Sequence, residues 1–321
     1  MRLSRKSLRD HARTTGFRPD VLEKVAHLLG LLNAIESHPF LKGKLALKGG
    51  TALNLFFFDV PRLSVDIDLN YIGSQDREGL VQDKPKIEQS LQAVFSREGF
   101  TIRHIPDEHA GGKWQLQYQS VTGQTSNLQV DVNYMFRIPL WPVARMDSKT
   151  LGQWQANQIP VMDIHELAAG KLAALLSRKQ ARDLFDCCEI FDYADIDLNR
   201  LRMAFIVYGA MNRKDWRTIS TDDIDFDPDE LVRQLIPTLS QEAVKRLEDS
   251  YGQSLVSKCK EALSSMIPFT APESQFLETL LDQGTIQAEL LTNDEQLQHR
   301  IAEHPMLQWK ALNVRKHKQI D

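Results

Sequence analysis

Residues 48–70 read KGGTALNLFFFDVPRLSVDIDLN and place two aspartates inside an apolar run shortly after a double glycine. On a β-strand, successive side chains point to opposite faces, so Ser64, Asp66 and Asp68 would share one face. The apolar residues between them would share the other face and pack on a helix. The pattern therefore predicts a strand that presents two carboxylates roughly 6–7 Å apart.

Paired carboxylates and a glycine turn suit the binding of a nucleotide triphosphate. Two close anions repel unless a cation lies between them, and carboxylate oxygens are ligands that Mg²⁺, and also Mn²⁺, prefers. The turn at Gly49 and Gly50, with positive φ expected at Gly50, would let backbone N–H groups approach an anion. A helix starting at Thr51 would direct its N-terminus at phosphate. A lone D-x-D or Gly-Gly is usually without function; the combination indicates a site.

A third aspartate lies in the alternating stretch NLQVDVNYM, residues 127–135, which predicts another strand. Asp131 is flanked there by two valines. On a strand next to the first, it would complete a metal-binding triad and could deprotonate an attacking hydroxyl. An exposed aspartate on an edge strand explains the same pattern equally well.

The pattern becomes helical near Pro160. In the stretch that follows, Asp163 is a predicted N-cap and Glu166 its capping-box partner. A domain boundary near residue 160 would separate a nucleotide-binding domain, residues 1–160 with a helical segment at 1–40, from a mainly helical domain, residues 161–321.

This helical stretch also carries a basic face. If the helix is unbroken, Lys171, Arg178 and Arg182 lie within about 40° of one another. Such a face suits a triphosphate or an RNA backbone. From the residues alone, a solvated face with intrahelical pairs from Arg178 or Arg182 to Asp186 explains the pattern better.

Both stretches resemble signatures of the AbiE-type toxin nucleotidyltransferases of the DNA polymerase β-like superfamily. The elements GGTAL…R.S.DIDL and ELAAGKLAALLSRKQARDLFD carry the resemblance, which covers roughly residues 40–195. It implies an α+β fold, with a mixed sheet and flanking helices followed by a mainly helical C-terminal domain. The resemblance also implies roles for individual residues. The implied metal ligands are Asp66, Asp68 and Asp131. The implied nucleotide-binding residues are Gly49, Gly50, Thr51, Arg62, Ser64 and Arg182, and the implied catalytic residues are Asp66, Asp68, Asp131, Lys171 and Asp186.

The resemblance also implies an activity: transfer of a nucleotidyl group from an NTP to a hydroxyl of RNA, such as the 3′ end of tRNA. The protein would be the toxin of a type IV toxin–antitoxin or phage-defence pair and would have a cognate antitoxin. One alternative is a nucleotide-binding regulator that has lost transfer. Another is an RNA-binding module that uses the basic ends, with Arg2 and Arg9 in one and Lys316 in the other, although such ends are often disordered.

The composition limits these options. The net charge of −4 over 321 residues means that any contact with nucleic acid would use a local patch. Three cysteines, an odd number, favour a reduced, cytoplasmic setting. The basic N-terminus lacks the apolar segment of a secretion signal, and no apolar run is long enough for a membrane span.

Overall fold

The computed structural model describes residues 3–106 and 110–319, so Arg2 lies outside the described residues. The chain forms two compact units. The sheet unit comprises the residues up to Arg137, Val143–Met162 and Ile236–Leu247. The helical unit comprises Ile138–Pro142, Asp163–Leu235 and the residues from Glu248 onward.

Seven strands form one mixed sheet in the sheet unit, in the order β3-β4-β5-β2-β1-β7-β6. Strand β2 is antiparallel to β1 and parallel to β5, and β5 is antiparallel to β4. The strands are β1 (Leu45–Lys48), β2 (Asp66–Tyr71), β3 (Thr101–His104), β4 (Gly111–Gln119), β5 (Thr125–Asn133), β6 (Ala144–Met146) and β7 (Ile159–Val161).

The described α-helices follow in chain order. They are α1 (Arg5–Thr15), α2 (Pro19–Ser37), α3 (Gly49–Ala52), α4 (Arg77–Arg97), α5 (Ile164–Leu175), α6 (Ala181–Asp192), α7 (Leu198–Ala210), α8 (Pro228–Glu230), α9 (Gln241–Lys245), α10 (Tyr251–Leu263), α11 (Ala271–Glu278), α12 (Glu295–Ala302) and α13 (Pro305–Lys318). The mixed sheet with its helices confirms the predicted α+β class.

The alternation predicted for the opening stretch is present in β2. Ile67 and Leu69 are buried, whereas Asp66 and Asp68 on the opposite face are half-buried. The strand begins only at Asp66, so Ser64 precedes it and is not a member of the same strand face. Burial of the apolar face fixes the register, because a slip by one residue would turn both carboxylates into the core.

The basic N-terminal segment is helical, so its description as a disordered arm is wrong. Ser4 caps α1 by accepting a hydrogen bond from the Ser7 N–H, and Gly16 ends it in a left-handed conformation. Leu8 and Ala12 are buried and fix the helix on the sheet unit.

The long basic helix predicted in the second half is interrupted, so the assumption of an unbroken helix is wrong. Helix α5 ends at Leu175 and α6 begins at Ala181. The Ala181 N–H donates to the Glu230 carboxylate, and the Lys179 carbonyl accepts from the Asp227 N–H. Residues distant in sequence thus take the place of the intrahelical bonds at this break.

The predicted cap of α5 is half right. Asp163 accepts from the His165 N–H at 2.9 Å and is the N-cap. Glu166 does not complete a capping box, because its buried carboxylate accepts from the Trp141 N–H at 3.2 Å and the Tyr208 hydroxyl at 2.9 Å.

The cysteines and the helix lengths agree with the limits set by composition. Cys187, Cys188 and Cys259 are buried free thiols. Within residues 3–106 and 110–319, none of the helices combines the length and the apolar character that a membrane crossing needs.

Candidate active site

The sheet register gathers charged side chains on one face. Asp68 of β2 lies directly opposite Lys48 of β1 and, on its other side, directly opposite Asp131 of β5. Asp131 in turn lies opposite Lys113 of β4. Residues opposite one another in a sheet share a face. Two carboxylates flanked by two lysines therefore form a row across four strands, and Asp66 lies on the same face about 6–7 Å along β2.

The register also settles what kind of strand carries Asp131. Strand β5 is paired with β2 on one side and β4 on the other, so Asp131 is on an interior strand and the edge-strand explanation is wrong. Neighbouring strands lie about 4.8 Å apart, so the backbones that carry Asp68 and Asp131 are close. Both side chains are half-buried. Sequence alternation alone had shown only that each faces away from an apolar layer.

The glycine turn contacts the carboxylate of β2 directly. Gly49 has φ +74°, and a Cβ built on it would lie 2.3 Å from Oδ2 of Asp68. Both glycines belong to α3, and the left-handed position is Gly49 rather than Gly50, where we expected it. Only glycine satisfies both requirements at position 49, namely a positive φ and close approach to the carboxylate.

Three other predicted nucleotide-binding residues lie near the start of β2. The Thr51 hydroxyl donates to the Asp66 carbonyl at 2.5 Å and ties α3 to the strand. Arg62 is only 3% exposed, and its Nη1 donates to the Leu63 carbonyl at 3.0 Å. Ser64 is buried just before the strand. The side chains of Thr51 and Arg62 thus help to hold the turn and strand in place.

A second charged cluster lies in the helical unit around Lys171 of α5. Its Nζ lies 2.7 Å from Oδ1 of Asp183 and 2.8 Å from Oδ2 of Asp186, both on α6. The Lys171 side chain is 12% exposed and both aspartates are buried. The interpretation that Lys171 lies on a solvated face is therefore wrong. A buried ion pair of this kind is costly to break, because the remaining charge has no partner.

The arginines of this stretch do not form the predicted common face with Lys171. Arg178, between the helices, donates through Nε to Asp183 at 2.8 Å. Burial alone would raise the pKa of the Asp183 carboxyl, but the charges of Lys171 and Arg178 bring it below its usual value. Arg182 pairs with Glu230 at 3.4 Å, so the predicted pair with Asp186 is replaced.

The sequence model of the family described as "Nucleotidyl transferase AbiEii toxin, Type IV TA system" matches residues 30–303. The chain belongs to the AbiEii family of nucleotidyltransferase toxins. The resemblance seen in its two signatures is thereby confirmed, and the match extends far beyond them on both sides.

A solved structure with a similar fold is MenT4, a nucleotidyltransferase toxin from Mycobacterium tuberculosis H37Rv. The two chains superpose with a TM-score of 0.60 at 16% identity, over 94% of this chain and 99% of that one. At this identity the likeness concerns the fold. No curated protein sequence matches the chain.

Nucleotidyltransferase families generally use a divalent metal, and the carboxylate oxygens of Asp66, Asp68 and Asp131 are donors of the kind that such an ion takes. In the part of the chain that the structure describes, no three His, Cys, Asp or Glu side chains form a group that could hold a metal ion. Mg²⁺ is usually held by only one or two carboxylates together with substrate phosphates and water. Asp66 and Asp68 supply two carboxylates on one strand face; that they hold a metal, with Asp131 as a third ligand, stays a prediction.

Asp183 was missed as a site candidate in the sequence. It sits three residues before Asp186, a spacing that places both carboxylates on one face of α6. That spacing was visible in the element RDLFD. The spacing could not identify Lys171 as the partner of Asp183, because α5 and α6 meet only through tertiary packing.

Proposed function

We propose that this AbiEii-family protein transfers a nucleotidyl group from an NTP to a hydroxyl of RNA, with the 3′ end of tRNA as the expected acceptor. It would act in the cytoplasm as the toxin of a toxin–antitoxin pair, with phage defence as one use of growth arrest. The observation that carries the proposal is the sheet register. It puts Asp68 beside Asp131, with Asp66 on the same face and Gly49 against Asp68.

In this proposal the carboxylate face organises the triphosphate. Asp66 and Asp68 would hold Mg²⁺, or Mn²⁺. A bound divalent metal supplies Lewis-acid stabilisation of the phosphoryl charge. The first N–H groups of α3, from Gly49 to Thr51, have no intrahelical partners and are suited to phosphate oxygens.

Proton transfer is assigned to Asp131 in preference to Asp186. A general base needs to reach the attacking hydroxyl. Asp131 is half-buried beside Asp68, whereas Asp186 is fully buried and paired with Lys171. We therefore propose that Asp183 and Asp186 position Lys171, and that the ammonium stabilises negative charge on the triphosphate in the transition state.

The test is incubation of the protein with total RNA and each labelled NTP in turn, with Mg²⁺, with Mn²⁺ and with chelator. We expect one RNA class to be labelled, with release of pyrophosphate, only when a divalent metal is present. Asp66→Asn and Asp68→Asn should each lower the rate by about 10²–10³ or more. Asp59→Asn is the matched control, because Asp59 is a highly exposed aspartate of the same unit, paired with Lys149 at 2.8 Å.

The outcomes separate transfer from a silent regulator. Binding of NTP without labelling of RNA or release of pyrophosphate would favour the regulator. Rates near wild type in the Asp68→Asn variant would remove the carboxylate face from the reaction. An effect of Asp59→Asn as large as that of Asp68→Asn would show that the losses come from general destabilisation.

A further inference from the structure

Helix α1 presents an unusual set of cations. At about 100° per residue, Lys6, Arg9 and Arg13 lie within about 60° of one another on the helix surface. All three are exposed. In residues 3–106 and 110–319, none of the three forms an ion pair. We call these three residues the α1 basic face.

Hydrogen bonds at both ends of α1 fix the orientation of the basic face. Arg5, in the first turn, donates through Nε to the Val121 carbonyl at 2.6 Å and through Nη2 to the Thr122 carbonyl at 3.0 Å. At the other end, the Gly16 carbonyl accepts from the Gln241 N–H at 2.7 Å. Together with the buried Leu8 and Ala12 of α1, these bonds fix which side of the helix faces outward.

The charge of α1 opposes that of the whole chain. The helix carries four cations, Arg5 and the three residues of the basic face, against the single carboxylate of Asp10, whereas the chain has net charge −4. Asp10 lies at the margin of the face and forms no ion pair with it among the described residues. Some exposed cations elsewhere on the unit, such as Arg97 and Arg246, have carboxylate partners. Clustered cations without such partners are the footprint of a polyanion-binding surface.

The position of α1 favours a polymer over a mononucleotide. Arg5 contacts the turn that precedes β5, and Thr125 at the start of that strand is six residues before Asp131. At about 3.3 Å per residue, the first turn of α1 is therefore roughly 20 Å along the strand from the carboxylate face. This is about the length of six stacked nucleotides on one strand. An NTP held by Asp66 and Asp68 would not reach it, but an RNA whose end lies there could.

We propose that the α1 basic face binds the phosphate backbone of the RNA acceptor at a distance from its reacting end. The inference rests on the proposed transfer to RNA and adds where the body of that RNA docks. Lys6, Arg9 and Arg13 would contact phosphates, which position a nucleic acid without reading its sequence. The face would therefore raise affinity for long acceptors and leave the chemistry at Asp66 and Asp68 unchanged.

The test uses the full chain with Lys6→Gln, Arg9→Gln and Arg13→Gln combined, since glutamine keeps helix propensity and removes charge. RNA binding is measured by fluorescence anisotropy over a salt series in an Asp68→Asn background and without NTP, so that no turnover occurs. We expect affinity to fall by about tenfold or more at moderate salt. The slope of log affinity against log salt should become shallower by roughly 2–3, at about 0.7–0.9 per lost phosphate contact.

A matched control removes three surface cations of the same unit that have carboxylate partners: Arg97→Gln, Lys149→Gln and Arg246→Gln. The net charge changes equally, so a general electrostatic effect would appear in both variants. We expect the salt slope of the control to differ from the wild-type slope by no more than about 0.7–0.9, the contribution of one phosphate contact. Thermal unfolding checks that both variants stay folded.

Acceptor length gives a second readout. With wild-type catalysis, the α1 triple variant should label a four-nucleotide acceptor at the wild-type rate and lose efficiency only on full-length RNA. Equal affinity and salt slope in the triple variant and the matched control would overturn the proposal, as would loss of antitoxin binding with RNA binding intact. If wild type labels no RNA at all, the proposed function fails by itself, and the salt series still decides whether α1 binds RNA.

Discussion

Replacing Gly49 by alanine tests the contact between the glycine turn and the carboxylate face. The new Cβ would lie 2.3 Å from Oδ2 of Asp68, and real Cβ atoms are essentially never closer than 3.0 Å to a neighbour. The carboxylate therefore has to retreat by at least about 0.7 Å, the difference between these two distances. A misplacement of about 1 Å in a reacting group can cost on the order of 10²-fold in rate.

The substitution also strains the backbone, and this part needs its own control. Alanine in a left-handed conformation costs about 1–2 kcal/mol. Gly99 has φ +87°, and a Cβ built on it meets nothing within 4 Å. Gly99→Ala therefore carries the backbone cost without a steric one, and the difference between the two variants isolates the displacement of Asp68.

The measurement is single-turnover labelling of RNA at saturating NTP and metal, at a temperature where thermal unfolding shows both variants to be folded. We expect Gly99→Ala to keep the wild-type rate and Gly49→Ala to be slower by about 10²-fold, with a loss of unfolding free energy at least as large as that of Gly99→Ala. A Gly49→Ala rate within threefold of that of Gly99→Ala would show that the position of Asp68 does not limit transfer. The role assigned to Asp68 in metal binding would then be refuted.

Two further predictions concern the helical unit. Lys171→Ala leaves two buried carboxylates short of a cation and should destabilise the fold by about 3–5 kcal/mol. Lys171→Met with Asp186→Asn should recover most of that stability but not transfer, measured by urea unfolding and single-turnover labelling; recovery of both would make Lys171 purely structural. Burial raises the pKa of Glu166 from 4.5 to about 7. The native state then binds the extra proton, so unfolding free energy should fall by about 3 kcal/mol as pH rises from about 4.5 to about 7. Glu166→Gln should remove that slope in urea unfolding at a series of pH values, and a wild-type slope retained in the variant would assign it to another group.

The sequence predicted what depends on local periodicity. Alternation showed that Asp66 and Asp68 face away from the core, and the same argument placed Asp131 between two buried valines. It could not show that Asp68 and Asp131 are register partners, because strand pairing between distant segments is set by long-range packing. The same limit hid the two lysines that flank this pair.

The second signature shows a different limit. Helical periodicity continues through residues 164–192, and no proline or glycine marks the break at 176–180. The break is held by Asp227 and Glu230, which bond the backbone of Lys179 and Ala181. Tertiary bonds of this kind override propensity, so the angles computed for one continuous helix could not hold.

The two lysines of the row bear on how an anionic substrate approaches an acidic face. Three carboxylates, Asp66, Asp68 and Asp131, share the face with Lys48 and Lys113, which leaves a formal charge of only −1 from these five side chains. A bare acidic triad would repel a triphosphate until metal arrived, and at separations of about 4–6 Å such repulsion is substantial. With the lysines beside them, the carboxylates can hold metal without building a strongly negative surface. The face is therefore suited to bind metal and triphosphate together. The proposed site needs this property, because two carboxylates and the substrate phosphates would share the metal.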